Sequence, residues 1–117
     1  MDQGRILILG QSKESSYELR NILDNQRFEI EIALNKDVGK QVLTTRRMSL
    51  LVMHTEMIGV ESADFFEFLE EQGISIPVLL VGEEAQRFKE EVVGQQSVEC
   101  FEKPYAVDQM LSFIQSL

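Results

Sequence analysis

The stretch Ser49-Leu50-Leu51-Val52-Met53-His54-Thr55-Glu56-Met57-Ile58-Gly59 decides the fold. An unbroken apolar run, Leu50 to Met53, passes into a histidine and a short polar turn. Such a run, with no alternation, suits a strand covered on both faces, as in the middle of a parallel sheet. Whatever follows its last apolar residue stands at the strand's carboxyl edge, where open α/β sheets gather ligands and chemistry. Working outward, Arg5-Ile6-Leu7-Ile8-Leu9 reads as a second buried strand, ended by Gly10-Gln11-Ser12. Phe28, Ile30 and Ile32 alternate with Glu29 and Glu31, which marks a half-exposed edge strand. Ile76-Pro77-Val78-Leu79-Leu80-Val81 is doubly covered again, and Val98-Glu99-Cys100-Phe101 makes a fifth strand.

Helical periodicity fills the gaps. Ser12 is a fair N-cap for a helix to about Asn25 with Ser16 or Tyr17, Leu19, Ile22 and Leu23 inward. Asn35 caps a second helix carrying Val38, Val42 and Leu43, with Arg46 and Arg47 at its end. A third runs from about Ser62 to Gln72 with Phe65, Phe66 and Leu69 inward and Gly73 as its stop. After Gly82-Glu83-Glu84 a weaker helix holds Phe88 and Val92 and is limited by Gly94, so it is expected to be the least ordered. The last carries Val107, Met110, Leu111, Ile114 and Leu117. Five alternations predict an α/β, doubly wound (βα)5 fold: a five-stranded parallel sheet with helices on both faces. The flavodoxin-like order 2-1-3-4-5 is the common solution. It brings Gly10, Gln11, His54, Thr55, Glu56, Gly82, Glu83 and Lys103 to one edge.

At 117 residues the chain is expected to be a single domain over 1–117. No apolar run approaches a membrane span, and Met1-Asp2-Gln3-Gly4-Arg5 is unlike a secretion signal. One cysteine, Cys100, excludes an internal disulfide framework, and a reducing cytoplasm is the expected location. The net charge of −9 is segregated: residues 1–58 hold eight acids and eight bases, and residues 59–117 twelve acids against Arg87, Lys89 and Lys103. Nucleic acid is repelled by that second half. A basic protein surface is not.

In this order and at this spacing, the strand ending at position 54, Pro77 before an apolar strand, and Lys103-Pro104-Tyr105 resemble the receiver (CheY-like) domain of two-component response regulators. The resemblance covers essentially the whole chain and implies a phosphorylation site at the carboxyl edge. In that family an acidic pair after the first strand and an aspartate after the third hold Mg²⁺, and the aspartate takes up a phosphoryl group. Here the pair's positions are Gly10 and Gln11, and the aspartate's is His54. Glycine brings no ligand, an amide brings one neutral oxygen, and imidazole suits Mg²⁺ poorly. The family's hydroxyl after the fourth strand falls on Gly82 and its aromatic rotor on Cys100, leaving Lys103. Lys103 is expected to turn to solvent or to pair with Glu56, Glu83 or Glu84.

His54 reads as a histidine filling the emptied acid pocket, ahead of a pH-sensitive group, a metal ligand or a phosphohistidine; no metal and no cofactor is expected. The chain is expected to be no enzyme, and to act as a pseudo-receiver within a larger bacterial signalling protein. It would dock a protein partner or attached output domain, or pair with itself, through the face of the fourth helix, fifth strand and fifth helix. That face offers Phe88, Glu90, Glu91, Glu99, Cys100, Tyr105 and Gln109. The alternative is a sensor of small anions or nucleotides using the vacated pocket.

Overall fold

The computed structural model describes residues 4–10, 12–23, 28–57, 62–83, 85–92, 97–102 and 107–115. Five strands, β1 (Arg5–Leu9), β2 (Glu29–Ala33), β3 (Leu50–His54), β4 (Val78–Val81) and β5 (Val98–Phe101), form one sheet in the order β2-β1-β3-β4-β5. Every pairing is parallel. The helices are α1 (Lys13–Leu23), α2 (Lys36–Thr45), α3 (Ser62–Glu71) and α4 (Val107–Gln115). This is the flavodoxin-like architecture that the alternation predicts.

The period of two along each strand builds two cores. Leu7, Leu9, Leu51, Met53, Val78 and Leu80 face α2 and α3, meeting Leu43, Phe65, Phe66 and Leu69. Ile6, Ile8, Leu50, Val52, Leu79 and Val81 face α1 and α4, meeting Leu19, Leu23, Met110 and Ile114. The central strands are buried on both sides, which is why they read as continuous apolar runs. β2 lies at the margin, where exposed Glu29 pairs with Arg5 at 3.0 Å and half-buried Glu31 with Arg46.

Caps fix the helix ends. Asn35 Oδ1 accepts the Val38 N–H at 2.8 Å, starting α2. At the end of α3, Gly73 adopts φ +72°, Ile74 N–H donates to Leu69 O at 2.8 Å and Gly73 N–H to Glu70 O at 3.0 Å. These two bonds form a Schellman turn that aims the chain into β4.

Of the two residues open for the inward place in α1, Ser16 takes it, while Tyr17 stays 50% exposed. Three expectations are corrected. In α2, Val38 is exposed and Gly39 lies buried beside Leu43. A Cβ on Gly39 would come within 3.2 Å of Leu9 Cδ1, so the glycine lets α2 settle on the sheet along a neighbouring stripe. Val107 of α4 is likewise exposed. The fourth crossover is a 3-10 helix, Ala85–Glu91, in place of an α-helix. Among its described side chains Ala85 is the one buried in the core, and 3-10 segments commonly serve as connectors.

Candidate functional site

The register aligns the carboxyl ends of the middle strands. Leu9 pairs with Met53 and His54 with Val81, so Gly10, His54 and Gly82 end up side by side. Gly10 N–H donates to Ala33 O and Gly82 N–H to Phe101 O, both at 3.1 Å, which ties both glycines to the sheet. A 3-10 turn, Thr55–Met57, then carries the chain out of β3.

His54 and Thr55 fill the space that Gly82 leaves. A Cβ at position 82 would stand 2.5 Å from Thr55 Oγ1, 3.0 Å from His54 Cε1 and 3.3 Å from His54 Nδ1. Gly82 also has φ +121°, a conformation that side chains resist. The hydroxyl residue that the receiver pattern places here therefore has neither room nor a suitable backbone. Thr55 is itself buried, 7% exposed.

Glu56 organises the other side. Its backbone N–H lies 3.3 Å from His54 Nδ1, which seats the ring over the start of the turn. Its carboxylate Oε2 lies 3.8 Å from the same nitrogen, and Oε1 accepts the Ser12 N–H at 3.1 Å. Ser12 Oγ in turn accepts the Ser15 N–H at 3.3 Å, the N-cap expected for α1. A Cβ at Gly10 would be 3.1 Å from Ser16 Oγ, 3.5 Å from His54 Cβ and 3.7 Å from Glu56 Oε1. Ser16 is 1% exposed, and its hydroxyl has no partner among the described residues.

Of the eight residues expected at this edge, the structure brings together Gly10, His54, Thr55, Glu56 and Gly82. Glu83 follows as an exposed residue, while Gln11, Lys103 and the proposed Lys103 partner Glu84 lie outside the described residues. Sequence reasoning did not bring Ser16 here, and it gave Ser12 as the α1 N-cap without its bond to Glu56. The available signal was an acid two residues past the strand end, facing positions whose own acids are gone. These residues do not fit Mg²⁺, which takes hard oxygen ligands in an octahedron. The contacts place one carboxylate here, Glu56, and it is already engaged; no group of three His, Cys, Asp or Glu that could hold a metal exists among the described residues.

On the proposed docking face, Glu99 and Gln109 are exposed and Cys100 is half-buried. Phe88, Glu90 and Glu91 lie on the 3-10 helix, but their side chains, and all of Tyr105, fall outside what is described. Burial pushes the Cys100 thiol above its ordinary pKa; Lys89 pulls it down, and Glu99 and Glu102 add to the rise. Alkylation by iodoacetamide is therefore expected to be slow at neutral pH and to accelerate as the solution becomes alkaline. Labelling at neutral pH as fast as in the unfolded chain would contradict this.

A cleft of about 1050 Å³ opens at the opposite, amino edge of the sheet, lined by Arg46, Arg47, Ser49, Ile74, Pro77 and others. None of the residues expected to carry function lines it. No described helix is long and apolar enough to cross a membrane.

Among solved structures the chain is similar to the receiver domain of Francisella response regulator 1452, at 14% identity and TM-score 0.76, covering 97% of this chain and 94% of that one. It is also similar to full-length FixJ from B. japonicum, at 18% identity and TM-score 0.79, covering 99% of this chain and 58% of that one. A third likeness comes from the Saccharomyces cerevisiae complex of the histidine phosphotransfer protein Ypd1 with the receiver domain of Ssk1, at 14% identity and TM-score 0.73, covering 97% and 87%. At these identities the likeness establishes the receiver fold. No curated protein sequence matches the chain. The family model for flagellar regulatory protein FleQ matches residues 5–112. With that match spanning all five strands, the chain belongs to the FleQ flagellar regulatory protein family.

Proposed function

We propose that this chain is a phosphorylation-independent receiver module, not an enzyme, that regulates flagella by docking another protein or an attached output domain. The observation that supports it most is the carboxyl edge itself. The positions that would hold a metal and accept a phosphoryl group carry Gly10 and His54, and the hydroxyl position is closed by Thr55 against Gly82. Electrostatic stabilisation of phosphoryl transfer needs a cation and converging donors, and the residues here offer neither metal ligand set nor nucleophilic carboxylate at the strand end. Docking is supported by charge: Glu99, Glu102 and Asp108 are exposed on or beside β5 and the start of α4. Acidic patches of this kind speed encounter with basic partners and lose effect in salt.

Incubation with acetyl phosphate and Mg²⁺ is the direct test, and no phosphorylated species is expected by phosphate-affinity electrophoresis. His54→Asp alone is expected to stay unlabelled as well, because the restored aspartate still lacks its acidic neighbours. Acid-labile phosphate on the wild-type chain would overturn the reading. For the face, the double reversal Glu99→Lys/Asp108→Lys is expected to weaken self-association or binding of an output region supplied in trans by roughly tenfold at low salt. Equal affinities and equal salt slopes would remove that surface. The alternative, an anion or nucleotide sensor at the carboxyl edge, has Glu56 against it. The Ser12 amide that would cradle an anion already holds that carboxylate.

A further inference from the structure

We propose that Glu56 is a built-in occupant of a small-oxyanion site, and that its carboxylate keeps this site shut while lashing the β1–α1 connection to the end of β3. The proposal goes beyond the docking reading and does not depend on it.

Three independent contacts carry it. First, Glu56 Oε1 takes the Ser12 N–H at 3.1 Å, at the start of an eleven-residue helix whose first amides have no intrahelical acceptor. A carboxylate at that place is held by charge-assisted bonding to oriented amides, as a free phosphate or acetate would be. Second, Ser16, one turn into the same helix, brings against Gly10 a buried hydroxyl with no partner among the described residues. That point, where a Gly10 side chain would begin, is 3.1 Å from Ser16 Oγ and 3.7 Å from Glu56 Oε1. A donor that is 1% exposed and has no acceptor among the described residues is what a small oxyanion would satisfy on entering. Third, Glu56 is anchored at its own base by the bond from its N–H to His54 Nδ1, so the carboxylate reaches back across the edge from a fixed backbone. Gly10 makes this possible: any side chain there would meet Ser16 Oγ at 3.1 Å before anything else.

The consequence is a site with its donors in place and an internal competitor tethered at very high effective concentration. Free anions fail to enter the wild-type chain for that reason. Removing the competitor exposes the site without rebuilding it.

The test is Glu56→Ala, followed by thermal melting and by the Ser12 amide resonance in NMR, in chloride with acetate or inorganic phosphate exchanged in at matched ionic strength. The variant is expected to melt roughly 5 °C below wild type, the loss of one charged-acceptor hydrogen bond. Acetate at tens of millimolar is expected to recover at least half of that loss and to shift the Ser12 amide, while leaving wild type unmoved in both readouts. Glu56→Ala/Ser16→Ala is expected to lose the rescue. Glu56→Gln, which conserves volume and still offers Ser12 an oxygen, keeps the site closed and guards against a failure of the alanine variant to fold. An unchanged melting temperature in Glu56→Ala would overturn the tether. A Ser12 resonance that ignores both anions in Glu56→Ala, or that responds equally in wild type, would overturn the masked site. Rescue by acetate with no phosphorylation by acetyl phosphate leaves the docking reading intact, so the two ideas fail separately.

Discussion

Gly82→Ser, the substitution that would restore the hydroxyl of the receiver pattern, is expected to destabilise the domain by about 3 kcal/mol. Two costs add. The backbone at φ +121° strains any side chain, and the new Cβ would sit 2.5 Å from Thr55 Oγ1 and 3.0 Å from His54 Cε1. Both neighbours are held by the sheet and its edge turn, so neither can yield cheaply. A domain of this size should then melt roughly 10 °C lower. Thr55→Ala in the same chain removes the closest clash and is expected to return about half of the loss, leaving the backbone strain. Melting by circular dichroism settles it: a Gly82→Ser variant as stable as wild type would mean that the edge rearranges freely.

Phe65→Ala is expected to be costlier, about 3–5 kcal/mol. Phe65 is fully buried on α3, edge-to-face with Phe66 at 5.3 Å between ring centres and 85° between planes. Its Cε1 lies 3.7 Å from the point where a Gly39 side chain would begin, so the ring is the spacer on which α2 rests. Truncation leaves a cavity bounded by helix and sheet backbones, which relax only partly. Against the roughly 5–15 kcal/mol of a typical domain, that leaves the chain marginal. Urea denaturation reads the loss, and a shift worth less than about 1 kcal/mol would show that the α2–α3 interface collapses to fill the gap.

Strand placement was legible because each strand carries its burial in its own composition. Leu50 to Met53 has no polar side, and β2, with Glu29 and Glu31 alternating with isoleucines, is only half-buried. Alternation gave the parallel sheet, and the commonest order for five such strands gave the rest. Less legible was helix rotation: Val38 and Gly39 compete for the inward position of α2, and hydropathy favours the valine while the 3.2 Å approach to Leu9 favours the glycine. The 3-10 form of Ala85–Glu91 was foreshadowed only as weakness, since no local rule separates a poor α-helix from a good 3-10 turn. At the candidate site, what is missing could be read from single positions: Gly10, His54, Gly82. What replaces it could not. Glu56 meets Ser12 across forty-four residues of chain, and only the register of β1 against β3 brings them together.

The 3-10 crossover between β4 and β5 has a bearing on how partners are met. Its i→i+3 bonding is poorer than that of an α-helix, so its amides should trade hydrogen for deuterium well before those of α3. On the docking reading proposed above, a partner would meet a segment whose backbone opens early, so contact would complete its shape, widening the range of surfaces it can grip and loosening the grip on each.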